Sequence, residues 1–204
     1  STALSTDQAQ SGSQSLYFTG SSYAYYRSTL SIVSAFTIDM WVYPTTLTGG
    51  FRLLQTMADG NGITITFNAS GVVTMSVSSP GKYNSTNLSA IAGAGALTAN
   101  QWNHLAITYS YTLSIANSGN FYVYINGVPS ASLIGVAPAY AASLSNMCLG
   151  GRAVIGNQSN SYFTGYIDAL WVSSTNRYAD GVQFTVPYYT PFNDDYTVAL
   201  FNFD

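Results

Sequence analysis

Apolar and polar residues alternate along this chain with a period of two. In segment 36–43 (Phe-Thr-Ile-Asp-Met-Trp-Val-Tyr), the apolar residues at 36, 38, 40 and 42 share one side, and the residues at 37, 39, 41 and 43 share the other. This period is typical of a β-strand with a buried face, and no window combines a helical period with a capping residue. We expect strands at Leu16–Thr19, Tyr23–Arg27, Phe36–Tyr43, Phe51–Met57, Ile63–Phe67, Val73–Val77, His104–Ser110, Phe121–Ile125, Ala153–Ile155, Gly165–Ser173 and Thr197–Phe203.

Turn sequences separate these strands. Asn126-Gly127 between two apolar runs is a strong hairpin signal, and 68–71 (Asn-Ala-Ser-Gly) has the composition of a turn. About a dozen short strands joined in this way predict an all-β fold, a two-sheet antiparallel β-sandwich. Long connections, which are usually functional or engaged by a partner, are expected at 79–101, 110–120, 134–146 and 174–195.

The predicted strands extend to both ends of the chain without a linker between them. We therefore expect one domain over residues 14–204, preceded by a polar N-terminal arm over residues 1–13. This arm is a segment able to reach an adjacent subunit. The first residue is Ser1 rather than Met, which we expect to reflect processing or excision of the chain.

Charged residues are scarce, at 6% of the chain against roughly 25% in an ordinary globular protein. Five cations form no basic stripe, which excludes nucleic acid as a partner, and no apolar run is long enough to insert into a membrane. A single cysteine, Cys148, and a single histidine, His104, exclude a disulfide framework and Cys- or His-rich metal sites.

The charges are also unevenly distributed, because the 69 residues from 83 to 151 contain none. A surface without charge repulsion associates readily, and Lys82 is the one lysine available to protect an edge strand. We expect the chain to pack against copies of itself or against other surface proteins. The alternative is secretion into a salty medium, where charge would be screened.

Five strand motifs follow one another in a characteristic order. They are Ser-Leu-Tyr-Phe-Thr-Gly (15–20), Phe-Thr-Ile-Asp-Met-Trp-Val-Tyr-Pro (36–44), Trp-Asn-His-Leu-Ala-Ile-Thr-Tyr (102–109), Phe-Tyr-Val-Tyr-Ile-Asn-Gly-Val (121–128) and Gly-Tyr-Ile-Asp-Ala-Leu-Trp-Val (165–172). Together they resemble the strands of laminin-G-like, concanavalin A-like jelly rolls. This resemblance implies a jelly-roll sandwich, a fold that hosts lectins, enzymes and structural proteins.

The C-terminal part resembles the phage and large-virus versions of this domain. The matching residues are Arg-Tyr (177–178), Phe-Thr-Val-Pro (184–187), Pro-Phe (191–192) and Thr-Val-Ala-Leu-Phe-Asn-Phe-Asp (197–204). Asn202 stands where those proteins often have His. The resemblance implies a virion surface or appendage protein.

Catalysis is not expected. A glycosidase needs two carboxylates about 5–9 Å apart, and without Glu the catalytic strand of the glucanase relatives cannot be present. Asp194 and Asp195 lie in a run whose composition favours a turn. A Ser/His/Asp triad would require His104, which the resemblance assigns to a packing position, and Cys148 is expected to be a small buried hydrophobe.

Calcium is the one metal ion that the sequence leaves open, because many proteins that the chain resembles carry one and calcium takes six to eight oxygen ligands. An ordinary turn remains the favoured alternative, and Thr19 stands where relatives often have Asp. For Asp39 and Asp168, which lie within predicted strands, the resemblance implies structural hydrogen bonds to the backbone or to Arg. The candidate calcium ligands are Asp59, Asn61, Asp180, Asp194 and Asp195.

Glycan binding is suggested by aromatic and amide side chains in the long loops. Aromatic rings stack on the apolar faces of sugars, and amides bind the hydroxyl groups. The alternative is that Tyr and Asn are simply abundant in this chain. The candidates, with loops 79–101 and 157–163 preferred, are Tyr83, Asn84, Asn87, Tyr109, Tyr111, Asn160 and Tyr162.

These observations predict a non-enzymatic structural, decoration or appendage subunit of a virion or extracellular assembly, which adsorbs host glycans. The expected location is the virion surface or the extracellular space, and the expected partners are identical or other surface subunits and glycans. The alternative function is a free, secreted carbohydrate-binding module.

Overall fold

The structure is a computed structural model, and it describes residues 2–26, 35–56, 62–78, 86–87, 89–90, 95–112, 118–136, 147–151, 162–187 and 192–204. Among these residues no helix is long and apolar enough to cross a membrane. In chain order the strands are β1 (Thr2–Ser5), β2 (Ser15–Thr19), β3 (Ala24–Tyr26), β4 (Ala35–Pro44), β5 (Phe51–Thr56), β6 (Gly62–Phe67), β7 (Val73–Ser78), β8 (Thr86–Asn87), β9 (Ser89–Ala90), β10 (Asn103–Thr112), β11 (Ser118–Ile125), β12 (Val128–Val136), β13 (Met147–Leu149), β14 (Thr164–Ser173) and β15 (Thr197–Phe201).

The strands form two antiparallel sheets. The larger sheet has the order β1-β2-β14-β4-β10-β11-β12-β9, with β15 paired to β14, and the smaller sheet has the order β3-β13-β5-β6-β7-β8. The two-sheet antiparallel sandwich predicted from the alternation is therefore confirmed. The predicted strand Ala153–Ile155 lies outside the described residues.

Part of the segment predicted to be an arm belongs to the larger sheet. Thr2–Ser5 pair with β2, with Ala3 opposite Tyr17. The following residues bind the sheet as well, because the backbone N–H groups of Gln10 and Ser11 both donate to Asp168 Oδ2 at 3.0 Å. The alternation rule missed this strand, because its four residues include only two apolar ones and lie at an edge.

The core lies between the sheets and takes one face of each strand. In β4, Phe36, Ile38, Met40 and Val42 are fully buried, as the alternation predicts. A side chain of this size contributes roughly 1.5–3 kcal/mol when fully buried. The remaining face of β4 points away from the core and belongs to the surface considered below, called here the outer face of the larger sheet.

The hairpin between β11 and β12 confirms the turn signal at Asn126-Gly127. Both residues have positive φ, at 52° and 78°, as a two-residue hairpin turn of this kind requires. The turn is also tied to β10, because Asn126 N–H donates to the carbonyl oxygen of His104 and Asn126 Oδ1 accepts from His104 N–H, each at 2.8 Å. This pairing holds the start of β10 in place beside the outer face.

Strand β14 contains one extra residue. Asp168 is opposite Trp41 and Trp171 is opposite Asp39, so three steps on β14 match two steps on β4. The irregularity falls at Ala169, whose φ is +49°. In a regular strand residues 168 and 171 would face opposite sides, whereas this bulge places both on the outer face.

Candidate functional site

Four aromatic rings lie side by side across the outer face of the larger sheet. Tyr166 on β14 is opposite Tyr17 on β2 and Tyr43 on β4, with ring centroids 4.8 Å and 5.8 Å apart. Trp102 continues this aromatic row, 5.5 Å from Tyr43. Tyr17, Tyr43 and Trp102 are partly exposed, so the row offers ring surface to a ligand.

The most protected member of the row is Tyr166, which is 9% exposed. Burial raises the pKa of its hydroxyl, and the charge of Asp7 raises it further. The hydroxyl is therefore a neutral hydrogen-bonding group at physiological pH.

A cleft lies next to the aromatic row, further along strands β4, β10 and β14. It contains a carboxylate, an imidazole, a phenol and two indole rings, and its volume of about 10 Å³ is room for a single hydroxyl group or water molecule rather than for a whole sugar ring. The lining residues are Asp39, Trp41, His104, Ala169, Trp171, Tyr178 and Pro187.

Asp39 holds the polar groups of this cleft together. Its Oδ1 lies 2.5 Å from His104 Nε2, and its Oδ2 accepts a hydrogen bond from the Tyr178 hydroxyl. Asp39 is 6% exposed and His104 is 3% exposed. A carboxylate has about four acceptor positions, so two remain on Asp39 after these contacts.

The cleft is partly covered by residues 174–187, called here the strap, which crosses the outer face. Its first part is tied to β4, where Thr37 Oγ1 donates to the Thr175 carbonyl and accepts from Arg177 N–H, both at 2.9 Å. Its later part is tied to β11, where the Tyr124 hydroxyl donates to the Ala179 carbonyl at 2.9 Å and accepts from Gly181 N–H at 3.0 Å.

Aromatic stacking completes the contact between strap and sheet. Within the strap, the rings of Tyr178 and Phe184 stack at 3.7 Å with an interplanar angle of 3°. Phe184 also lies edge-on to His104 at 5.9 Å and to Tyr124 at 5.3 Å. His104 is thus packed beneath the strap, which confirms the packing position predicted for it.

Asp180, a predicted calcium ligand, anchors the strap. Its Oδ2 accepts from Ser110 Oγ at 2.5 Å and from Asn120 Nδ2 at 3.1 Å, and its Oδ1 accepts from Asn176 Nδ2 at 2.8 Å. Two of these three partners are amide N–H groups, which cannot ligate a cation together with the carboxylate.

Asp194, another predicted ligand, forms an ion pair with Arg177, whose Nη2 donates to both carboxylate oxygens at 2.8 and 2.9 Å. This guanidinium lowers the pKa of Asp194 to about 2, and it also lies 3.7 Å above the Trp171 ring. Asp195 is exposed. Within the described ranges no three acidic, His or Cys side chains converge as a metal site, and Asp59 and Asn61 lie outside those ranges, so calcium stays a prediction.

Hydrogen bonds to the backbone or to Arg are expected for Asp39 and Asp168, and among the described residues only Asp168 makes them. Asp168 accepts backbone N–H groups from Gln10, Ser11 and Ala169, which confirms its role as a hydrogen-bond partner of the backbone. Burial raises the pKa of Asp168 above its ordinary value, although these donors oppose the shift. Asp39 instead binds two side chains, since it belongs to the cleft.

One predicted glycan-binding residue is wrong. Tyr109 is fully buried in the core, with its ring 5.7 Å from Phe36 and 4.6 Å from Phe121. It falls on the inner side of β10 because position 109 shares the alternation of the buried positions 105 and 107. Burial also raises the pKa of its hydroxyl.

The other predicted glycan-binding residues do not form one site in the described part of the chain. Tyr111 is partly buried against the core, and Tyr162 is bridged to Arg52 of the smaller sheet. Asn87 belongs to β8, opposite Ser76. The remaining three, Tyr83, Asn84 and Asn160, lie outside the described residues.

Sequence reasoning missed the aromatic row because it looked for binding residues in loops. A usable signal was present: Tyr17, Trp41, Tyr43 and Tyr166 all stand in strand motifs at positions that alternate with core residues. Large aromatic residues on the polar side of several strands indicate a binding surface rather than a core.

A second concavity, of about 150 Å³, opens between the two sheets. Its walls are almost entirely apolar, and they include Met147, Leu149 and the ring pair Tyr26–Phe201 at 5.1 Å. Because it lacks a convergent set of polar groups, it is a poor match for a ligand rich in hydroxyls.

Comparison with known proteins agrees with this architecture. The laminin G family described as the concanavalin A-like lectin/glucanases superfamily matches residues 18–183. No curated protein sequence matches the chain.

Three solved structures share the fold. A protein from Bacteroides ovatus described as carbohydrate-binding has a TM-score of 0.59 and 14% identity, covering 88% of this chain and 48% of its own, so this chain spans about half its length. Domain 4 of an extracellular arabinanase from Geobacillus stearothermophilus, in complex with arabinotriose, has a TM-score of 0.57 and 20% identity, with coverage of 84% and 74%. An endo-β-1,4-glucuronan lyase from Trichoderma reesei has a TM-score of 0.61 and 12% identity, covering 89% of both chains.

These structural likenesses show a shared fold, and the family match covers most of the sandwich. The chain belongs to the concanavalin A-like lectin/glucanases superfamily.

Proposed function

We propose that this chain binds carbohydrate without cleaving it, and that the aromatic row and the adjacent cleft form the binding surface. The observation that carries this proposal is a row of partly exposed rings on the same face of the sheet as a cleft whose carboxylate retains acceptor positions. A sugar chain can stack one ring on Tyr43 or Trp102, while a hydroxyl of a further sugar unit beside Trp41 donates to Asp39, about 13 Å along β4 from Tyr43. Two structural relatives are named for carbohydrate binding or contain a bound arabinotriose, which supports the same ligand class.

Binding rather than glycoside hydrolysis is supported by the state of the carboxylates. A glycosidase needs one carboxyl group that holds a proton near neutral pH and donates it to the leaving group. The pKa of Asp194 is lowered to about 2, and Asp168, although burial raises its pKa, is fully buried and accepts three backbone N–H groups. Asp39 can still accept a hydroxyl, but it has no second exposed carboxyl group beside it in the described lining of the cleft.

The test is a glycan array followed by calorimetry with single variants. Trp102→Ala removes a partly exposed ring of the aromatic row, and we expect about tenfold weaker binding, equivalent to roughly 1.4 kcal/mol. Tyr162→Ala is the matched control, since Tyr162 is also partly exposed but is bridged to the smaller sheet. If Tyr162→Ala abolishes binding and Trp102→Ala does not, the site lies elsewhere; absence of binding to any glycan contradicts the proposal.

We also propose that the chain acts as a subunit of a virion or extracellular assembly. The supporting observation is the exposure of apolar side chains on edge strands: Leu4 on β1 is 53% exposed and Ile134 on β12 is 58% exposed. β12 pairs with β9 at only two positions, Ala131 and Ser132, so much of that edge has no partner strand among the described residues. Such edges associate readily when no lysine protects them.

Sedimentation velocity at micromolar concentration tests the assembly. We expect oligomers that an Ile134→Lys variant dissociates, while a Val182→Lys variant, altered at a similarly exposed strap position, leaves them intact. A monomer in the unaltered protein would instead favour a free, secreted carbohydrate-binding module.

A further inference from the structure

The proposed binding surface is surrounded by carboxylates. Asp39 lines the cleft, and Asp168 lies on the same face of β14, opposite Trp41. Asp7 is exposed, and its charge raises the pKa of the Tyr166 hydroxyl. Asp204, whose Oδ1 accepts Ser13 N–H at 3.0 Å, raises the pKa of Asp168 by its charge. Of these carboxylates Asp7 and Asp204 are exposed, Asp39 is 6% exposed and Asp168 is fully buried, so a ligand on this surface meets negative charge chiefly from the first three.

Of the two described arginines, Arg177 lies nearest the cleft, with its guanidinium 3.7 Å from the Trp171 ring. Its Nη2 donates to both oxygens of Asp194 and its Nε donates to Ser173 Oγ at 2.6 Å, so its charge is paired with Asp194. The other described cation, Arg52, belongs to β5 of the smaller sheet and donates to Gln55 Oε1 at 3.1 Å. The three remaining cations, Arg27, Lys82 and Arg152, lie outside the described residues.

From this arrangement, and resting on the proposed function, we infer that the surface selects neutral glycans and rejects glycans that carry uronic or sialic acid. The hydroxyl of a neutral sugar can donate to the remaining acceptor positions of Asp39, whereas a ligand carboxylate can only accept. An anionic sugar would also lose hydration beside like charges without gaining a cation as partner.

Selectivity for neutral glycans would distinguish this chain from the glucuronan lyase that shares its fold. That relative is named for glucuronan, a polymer whose every residue carries a carboxylate. A uronic acid brought to the cleft would face the Asp39 carboxylate, which offers it no hydrogen-bond donor and repels its charge. Glucuronan therefore falls in the class that this surface rejects.

The experiment compares matched pairs of glycans on one array and then by calorimetry. Suitable probes are neutral oligosaccharides, their sialylated forms, and β-1,4-glucan beside β-1,4-glucuronan oligosaccharides, which differ in the oxidation of C6. We expect the neutral member of a pair to bind at least tenfold more tightly at low salt. The ratio should shrink in 1 M salt, because screening weakens the repulsion.

One variant and its control test whether charge repulsion causes the selectivity. Asp7→Asn removes an exposed charge beside Tyr166 and should raise the affinity for the acidic member of a pair while leaving the neutral member unchanged. Asp195→Asn, which removes an exposed charge from the turn before β15, should change neither.

The outcomes distinguish the two proposals. If acidic glycans bind as tightly as neutral ones and Trp102→Ala weakens both, the neutral selectivity is wrong and the binding surface stands. If no glycan of either kind binds, the proposed function itself is wrong, and the selectivity with it.

Discussion

The Tyr178 hydroxyl joins the strap to the sheet at the cleft, and its removal tests how the surface is held in shape. Tyr178→Phe deletes the hydrogen bond to Asp39 Oδ2 and leaves His104 as the partner that remains on this carboxylate. The substitution keeps the ring, so the stack on Phe184 at 3.7 Å is preserved. The variant therefore removes the hydroxyl and keeps the ring.

The expected loss is about 2 kcal/mol in the free energy of unfolding. A hydrogen bond to a charged group contributes about 1.5–3 kcal/mol, and water cannot easily replace it because Asp39 is 6% exposed. For a chain of this size, each kcal/mol corresponds to a shift of about 2–4 °C, so the melting temperature should fall by about 4–8 °C.

Urea denaturation followed by tryptophan fluorescence measures this loss, and thermal melting gives an independent value. Tyr196→Phe is the matched control, because the Tyr196 side chain is 55% exposed and its loss of a hydroxyl should cost less than about 0.5 kcal/mol. Amide hydrogen exchange should also accelerate at Gly181 and Phe184, whose N–H groups bind the sheet.

If Tyr178→Phe changes the free energy of unfolding by no more than Tyr196→Phe does, the hydrogen bond from Tyr178 to Asp39 does not stabilise the fold. Accelerated exchange throughout the larger sheet, rather than in the strap, would also contradict that role of the hydrogen bond. In either case the strap would be held by its stacking and backbone contacts, and not by the carboxylate of the cleft.

Three further outcomes are expected. Gly165→Ala should destabilise the fold by more than about 2 kcal/mol in urea denaturation, because the new Cβ would lie 2.1 Å from a carbonyl oxygen of β4; Gly49→Ala, also at positive φ but with open space around it, should cost only about 1 kcal/mol. Because the pKa of Asp194 is lowered from 3.8 to about 2, its pairing with Arg177 stabilises the fold above pH 4 and is lost as the pH falls through 2. The melting temperature of Asp194→Asn should therefore be below that of the wild type at pH 7 and equal to it near pH 2. The control Asp195→Asn should have the melting temperature of the wild type throughout. Chelation with EDTA should lower the melting temperature if the calcium prediction is correct, and an unchanged value would favour the ordinary turn.

The strands of this protein follow from local pattern. Phe36, Ile38, Met40 and Val42 alternate with polar and aromatic neighbours, and the structure buries all four. The hairpin at Asn126-Gly127 follows from local chemistry in the same way, because these residues adopt positive φ at little cost. Tyr109 also follows the alternation. Its position in the strand places it in the core, although its residue type suggested a ligand contact.

The candidate site followed from the sequence only in part. The outer positions of β4 could be recognised, but the neighbours of Tyr43 could not, because the register between β4, β14 and β2 depends on pairing between residues more than a hundred positions apart. The strap was predicted as a long connection, and its path over Asp39 and His104 depends on contacts such as Tyr178 to Asp39 that no local pattern contains.

The chain by itself therefore determined which residues form strands and which side of each strand is apolar, because side-chain direction in a strand is set by the backbone of neighbouring residues. Only the tertiary structure decided which outer side chains meet. The bulge at Ala169 illustrates the reason: one extra residue in β14 reverses the sides of everything beyond it, and it brings Trp171 to the cleft that Asp39 and Trp41 line.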